Sequence, residues 1–199
     1  LLEAMQEHTV SYAGVTHTLP EPFFVLATQN PLEQAGTYPL PEAQLDRFLL
    51  HIRVDYPSQS EERDILLQTT GSKSSAVPKV MAGAAVRDLQ RMVRDVHLGD
   101  DLLDWINRLV RASRPQQAGA DIATWGKWGA GPRAGQALVL CAKARALIHG
   151  RLAATRDDIE ALAAPVMRHR LLLTFLAEAE GKSADDVVKL LLAAVPSPN

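Results

Sequence analysis

Three polar residues carry the chemistry that this sequence suggests. An unbroken apolar run, Phe23-Phe24-Val25-Leu26-Ala27, ends in Thr28-Gln29-Asn30 and a proline. An amide at the tip of a buried strand can donate to a phosphate oxygen or hold an attacking water while staying uncharged. The same residue can instead close an Asx turn on its own loop backbone. Arg47 follows a loop rich in proline and glycine (Pro31, Gly36, Pro39, Pro41), which can hold it stiffly at a domain edge. A guanidinium held at a domain edge and offered to a neighbouring subunit's phosphate speeds phosphoryl transfer by roughly a thousandfold or more. A solvated arginine paired with Asp46 or Glu42 is the plainer alternative. Arg133 falls in the first turn of a helix opened by Gly131-Pro132, where the macrodipole already supplies positive charge. Gly129-Ala130-Gly131 would let an anion approach the free N–H groups there.

The elements that must position these groups fall into two parts. Residues 1–7 read as the end of a helix. Two short β-branched or aromatic runs around Ala13-Gly14 predict a hairpin. Residues 23–28 have the continuous apolar character of a strand covered on both faces, and residues 48–54 suggest a second. A helix is expected over about 60–68. Beyond the polar connector Gly71-Ser72-Lys73-Ser74-Ser75 every pattern is helical. Val86, Leu89, Val93 and Val96 share one face. Leu102, Ile106 and Leu109 share another, with Asp100 as its N-cap. A third helix carries Leu138, Cys141 and Ile148 to a stop at Gly150. Thr155 with Asp158 and Ser183 with Asp186 mark two further N-termini. Residues 116–129, with Trp125 and Trp128, read as irregular. The sequence therefore predicts an α/β portion, residues 1–57, followed by an all-α portion, residues 58–199, with helix dominant overall.

Composition narrows the function classes. A hydrophobic content of 47% with 22% charged residues is that of an ordinary globular chain able to bury a core. A formal net charge of −2 argues against a generally basic nucleic-acid binder. The single cysteine excludes an internal disulfide framework and fits a reducing, cytoplasmic setting. Six scattered histidines lack ligand spacing, so no metal site is expected. No apolar stretch reaches the length of a membrane span. Arg168-His169-Arg170 reads as a solvated helix end matched to the dipole. Trp125 and Trp128 in the irregular stretch suggest a small satellite core. The opening Leu-Leu-Glu-Ala-Met-Gln-Glu lacks an initiator Met and begins inside a helical pattern, which suggests part of a longer protein.

Together these segments resemble the MoxR family of AAA+ ATPases. The likeness rests on "LLEAMQEHTVSYAGVTHTLPEPFFVLATQNPLEQAGTYPLPEAQLDRFLL", on "WGAGPRAGQALVLCAKARALIHGR" and on "PVMRHRL". It implies an α/β fold, the C-terminal part of an AAA+ P-loop NTPase core with a hairpin and parallel strands, then a helical lid. It implies ATP and Mg²⁺ as cofactors, Asn30 as sensor 1, Arg47 as the arginine finger and Arg133 as the sensor 2 arginine. It implies a homo-oligomeric, hexameric ring that remodels or assembles a client protein or aids metal or cofactor insertion, with a von Willebrand A-domain partner. Ala13-Gly14 would be the tip of a hairpin facing the central pore. The family's P-loop and acidic Mg²⁺-binding strand would lie ahead of Leu1. Gly181-Lys182-Ser183 does not replace them, because Leu176 stands where a P-loop needs glycine. These 199 residues alone are thus expected to be inactive. Two other readings fit: a nucleotide-independent helical interaction module, and another AAA+ of the magnesium-chelatase-like branch. The absence of Lys or Arg between Leu1 and Glu21 counts against a DNA helicase.

Overall fold

The computed structural model describes residues 2–29, 40–71 and 77–198. Helix α1, Leu2–Glu7, leads into an antiparallel hairpin of β1, Thr9–Tyr12, and β2, Val15–Thr18. The register pairs Thr9 with Thr18 and Tyr12 with Val15. Its two turn residues, Ala13 and Gly14, have φ of 50° and 79°. Two successive positive φ values give the mirror-image turn whose twist matches that of the strands. The hairpin is mostly exposed and is tied to α1 by Glu3, whose carboxylate accepts from Ser11 Oγ at 2.5 Å and Thr9 Oγ1 at 3.4 Å.

The expected parallel strands are not formed. Residues 23–29 and 50–58 run without ladder partners, and both described sheets are two-stranded and antiparallel. Phe24 and Leu26 are each 80% exposed, and Val54 and Tyr56 are exposed too. A strand exists only as one side of a ladder, because its N–H and C=O groups need neighbours. No neighbouring strand lies beside these runs among the described residues. Apolar character alone does not make a sheet.

A short helix, α2, spans Glu42–Leu45. Helix α3, Gln59–Thr69, starts at Ser58, which forms a capping box with Glu61. The helical part then runs α4, Gly83–Asp95, and α5, Asp100–Ala112. Gly99, rather than Asp100, is the N-cap of α5, and Asp101 Oδ1 instead accepts from the Leu102 N–H at 2.9 Å. The 116–129 stretch is more regular than its composition suggests. It holds a 3₁₀ turn Pro115–Gln117, helix α6, Ala120–Trp125, and strand β3, Gly126–Trp128. Helix α7, Pro132–Ile148, has proline at its start, and Gly150 follows it with φ 70°. Helix α8, Arg156–Met167, passes into a 3₁₀ turn Arg168–Arg170 and strand β4, Leu172–Leu173, which pairs with β3. Helices α9, Phe175–Ala179, and α10, Ala184–Ala194, follow.

The core belongs to α5, α7, α8 and α10. Trp105, Leu138, Ile159 and Leu191 are fully buried. Helix α7 turns Ala134, Ala137, Ala142 and Ala146 inward, and α8 supplies Ala163, so the core rests on small side chains as well as large ones. Asp158 is also fully buried and closes the Thr155 box. Burial raises its pKa, but bonds from Arg151, the Thr155 backbone and Arg145 together hold it well below the ordinary carboxylate value. Cys141 is buried, as its helical spacing predicts, and burial pushes its thiol up to about 11.

Candidate functional site

The segment after α2 leaves the N-terminal part and lies against the end of α8 and the turn that follows it. Pro165, inside the last turn of α8, accepts from the His51 N–H at 2.8 Å. Arg168 donates from Nε to Asp185 Oδ1 at 2.9 Å and from Nη1 to the His51 carbonyl at 3.1 Å. His169 Nε2 donates to the Phe48 carbonyl at 3.1 Å, which leaves Nδ1 as the unprotonated nitrogen. That Nδ1 is buried with no hydrogen-bond partner among the described residues. Burial, with the Arg170 cation beside it, pulls His169 down to about 4.

Arg170 overturns the solvated reading of its cluster. Its side chain is 3% exposed. Nε donates to Asp46 Oδ1 at 2.8 Å, and Nη2 donates to the carbonyls of Asp46 at 3.0 Å and Phe48 at 2.7 Å. Nη1 donates to Leu49 O at 3.4 Å and to Val166 O. The signal available in the sequence was spacing: Arg170 stands four residues after Val166 and just before Leu171-Leu172-Leu173, on an apolar side.

The two predicted arginines meet above this junction. Arg133, second residue of α7, reaches Asp46 Oδ2 with Nη1 at 3.6 Å and keeps 45% of its side chain exposed. Arg47 is half-buried and donates from Nη1 to the Gln6 amide oxygen of α1. Among the described residues it pairs with neither Asp46 nor Glu42, and no other carboxylate neutralises it. Met5, Gln6, Arg47 and Arg133 line a cavity of about 140 Å³. Among the described residues Arg133 and Arg170 both pair with Asp46, while Arg47, next to Asp46 in the chain, lines the cavity with Arg133, so guanidiniums outnumber carboxylates there. Such an arrangement attracts an anion with several oxygens, and phosphate fits it.

Asn30 lies outside the described residues. No cluster of three or more His, Cys, Asp or Glu suited to a metal ion occurs among the described residues. Trp125 is half-buried, donating to Glu180 Oε2 at 2.9 Å with Lys182 4.9 Å above its ring. Trp128, 71% exposed, is not part of a satellite core. It borders a second cavity, of about 360 Å³, with Arg114, Lys127 and Pro132.

Known proteins resemble this chain in sequence and fold. The family described as "ATPase family associated with various cellular activities (AAA)" matches residues 1–50, and the AAA lid domain matches residues 120–191. The chain is an AAA ATPase segment joined to an AAA lid. Over its full length it is homologous to the chaperones of the MoxR family. It is 41% identical over 200 residues to Chaperone MoxR1 of Mycobacterium tuberculosis, covering all of this chain and 53% of that protein. It is 42% identical to the YeaC protein of Bacillus subtilis, covering all of this chain and 60% of the relative. Protein MoxR of Paracoccus denitrificans is 33% identical, covering 87% of this chain and 55% of its own. A crystal structure of a candidate ATPase from Cytophaga hutchinsonii superposes with a TM-score of 0.92 at 35% identity, covering all of this chain and 61% of the other. The chain thus spans about half to three fifths of the length of these relatives. Among the described residues, no helix is long and apolar enough to cross a membrane.

Proposed function

We propose that this chain is the sensor-to-lid portion of an ATP-driven MoxR-type machine, in which Arg47 and Arg133 act as a pair on one phosphate. The observation that carries the reading is their convergence on one cavity, with Arg47 free of any described carboxylate. An arginine finger works from outside the nucleotide's own subunit. Because Arg133 lines the same cavity, the pair is offered to a neighbour's nucleotide, and the protein acts as a homo-oligomeric ring, hexameric in the reading advanced here. Residues 1–57 form the ATPase-side portion and residues 58–199 the lid, and the lid holds Arg133.

Bound ATP with Mg²⁺ supplies the phosphoryl group that is transferred. Arg47 meets charge that develops on that group, in a site where a fixed cation needs no reorganisation. Arg133, already 3.6 Å from Asp46, can exchange that carboxylate for a phosphate oxygen and so link nucleotide state to the lid. Asn30 positions the attacking water. The work done is remodelling or assembly of a client protein or insertion of a metal or cofactor, with a von Willebrand A-domain protein as a candidate partner and the cytoplasm as its place.

In the full-length protein, Arg47→Ala should lower ATP turnover by roughly a thousandfold, about 4 kcal/mol of transition-state stabilisation, with the fold intact. Steady-state ATPase rates together with circular dichroism check this. An unchanged rate removes the finger from the account.

A further inference from the structure

Arg47 is carried by a loop whose firmest attachment is to the lid. Arg170 directs all five of its N–H groups at neighbours in the structure, the whole donor capacity of a guanidinium. Four of the five go to the loop: Asp46 Oδ1 and the carbonyls of Asp46, Phe48 and Leu49. These acceptors stand on both sides of Arg47 in the chain, so the backbone that bears the finger is held at either end. The fifth bond, to Val166 O, anchors the fork in α8. Asp46 then turns its other oxygen to Arg133. One buried guanidinium therefore fixes the backbone that bears Arg47, and Asp46 links that segment to Arg133.

Resting on the finger reading above, we propose that Arg170 is a positioning residue for phosphoryl transfer, making the lid carry Arg47 so that Arg47 and Arg133 approach and leave the phosphate as one body. It touches no substrate; it acts through Arg47. A planar fork is required for this. A lysine could face Asp46 with its charge but could not hold three carbonyls in fixed directions.

The test is a double-mutant cycle in the full-length protein, reading kcat and KM for ATP. Arg170→Met should lower kcat at least about tenfold and leave KM within about threefold, because the loss falls in the transition state. In an Arg47→Ala background the same change should cost less than about twofold, since the group it positions is gone. Arg170→Lys should not restore kcat, and it carries the cycle if Arg170→Met does not fold. Equal losses in both backgrounds, no loss at all, or full rescue by lysine overturns the proposal while leaving the finger standing. If Arg47→Ala alone leaves kcat unchanged, the reading beneath it has failed instead.

Discussion

How many of its five N–H groups an arginine commits to protein separates the three guanidiniums around Asp46. Arg170 commits all five to protein; among the described residues Arg133 makes one long contact and Arg47 one bond to an amide, which leaves both with donors for a ligand. The junction has a pH signature, because His169 is held neutral. Its value of about 4 in the folded protein lies below its ordinary 6.5. The folded state therefore binds fewer protons than the unfolded one between those values. Stability is full above about pH 6.5 and falls as pH drops toward 4. His169→Gln, whose amide can still donate to Phe48, should flatten that fall relative to the wild type. Melting temperature measured from pH 7 to pH 4 on both proteins decides it. Parallel curves would mean that His169 does not titrate in that window.

At the level of elements, short-range chemistry governs where helices begin. Ser183 accepts from the Asp186 N–H at 3.2 Å and donates to its carboxylate at 2.6 Å, closing the box that opens α10. Bonds from the Ser183 side chain and backbone, which outweigh the small effect of burial, hold Asp186 down to about 2. Ser183→Ala should destabilise the protein by about 1 kcal/mol, the usual cost of a lost N-cap, readable as a shift in urea midpoint at constant slope. The strands obey a different rule. The Ala13-Gly14 hairpin forms because both its sides are contiguous in the chain. The apolar run at 23–28 has no such local partner and stays out of any ladder.

Across the whole molecule, the lid supplies the stable body and the N-terminal part is arranged on it. Small residues make that body tight. Ala142 is fully buried on α7. Ala142→Leu would insert three carbons where the neighbouring helix packs, and should cost about 1–3 kcal/mol through overpacking. Chemical denaturation checks this, and a neutral result would point to a void beside Ala142. The same body explains how distant parts of the chain share one site. Arg47 and Arg133 are 86 positions apart in sequence yet line one cavity, because the 46–51 segment is tied to the end of α8 and α7 packs on α8.

Read alone, the chain determined neither the cap of α5 nor the order within 116–129. It did determine most of the helices, the caps at Thr155 and Ser183, the hairpin turn, the buried thiol and the residue types that could meet a phosphate. These depend on neighbours three or four positions away or on a two-residue turn, so periodicity and side-chain chemistry suffice to reveal them. That Arg47 and Arg133 line one cavity was not legible in the sequence, because they lie far apart in the chain and only the fold brings them together. Two further matters the tertiary structure alone decided: that Arg170 is buried under the 46–49 segment, and that residues 23–28 lack a ladder. Both turn on partners far off in the sequence. Burial of a charge depends on whether acceptors arrive to satisfy it, and a strand depends on whether another comes alongside.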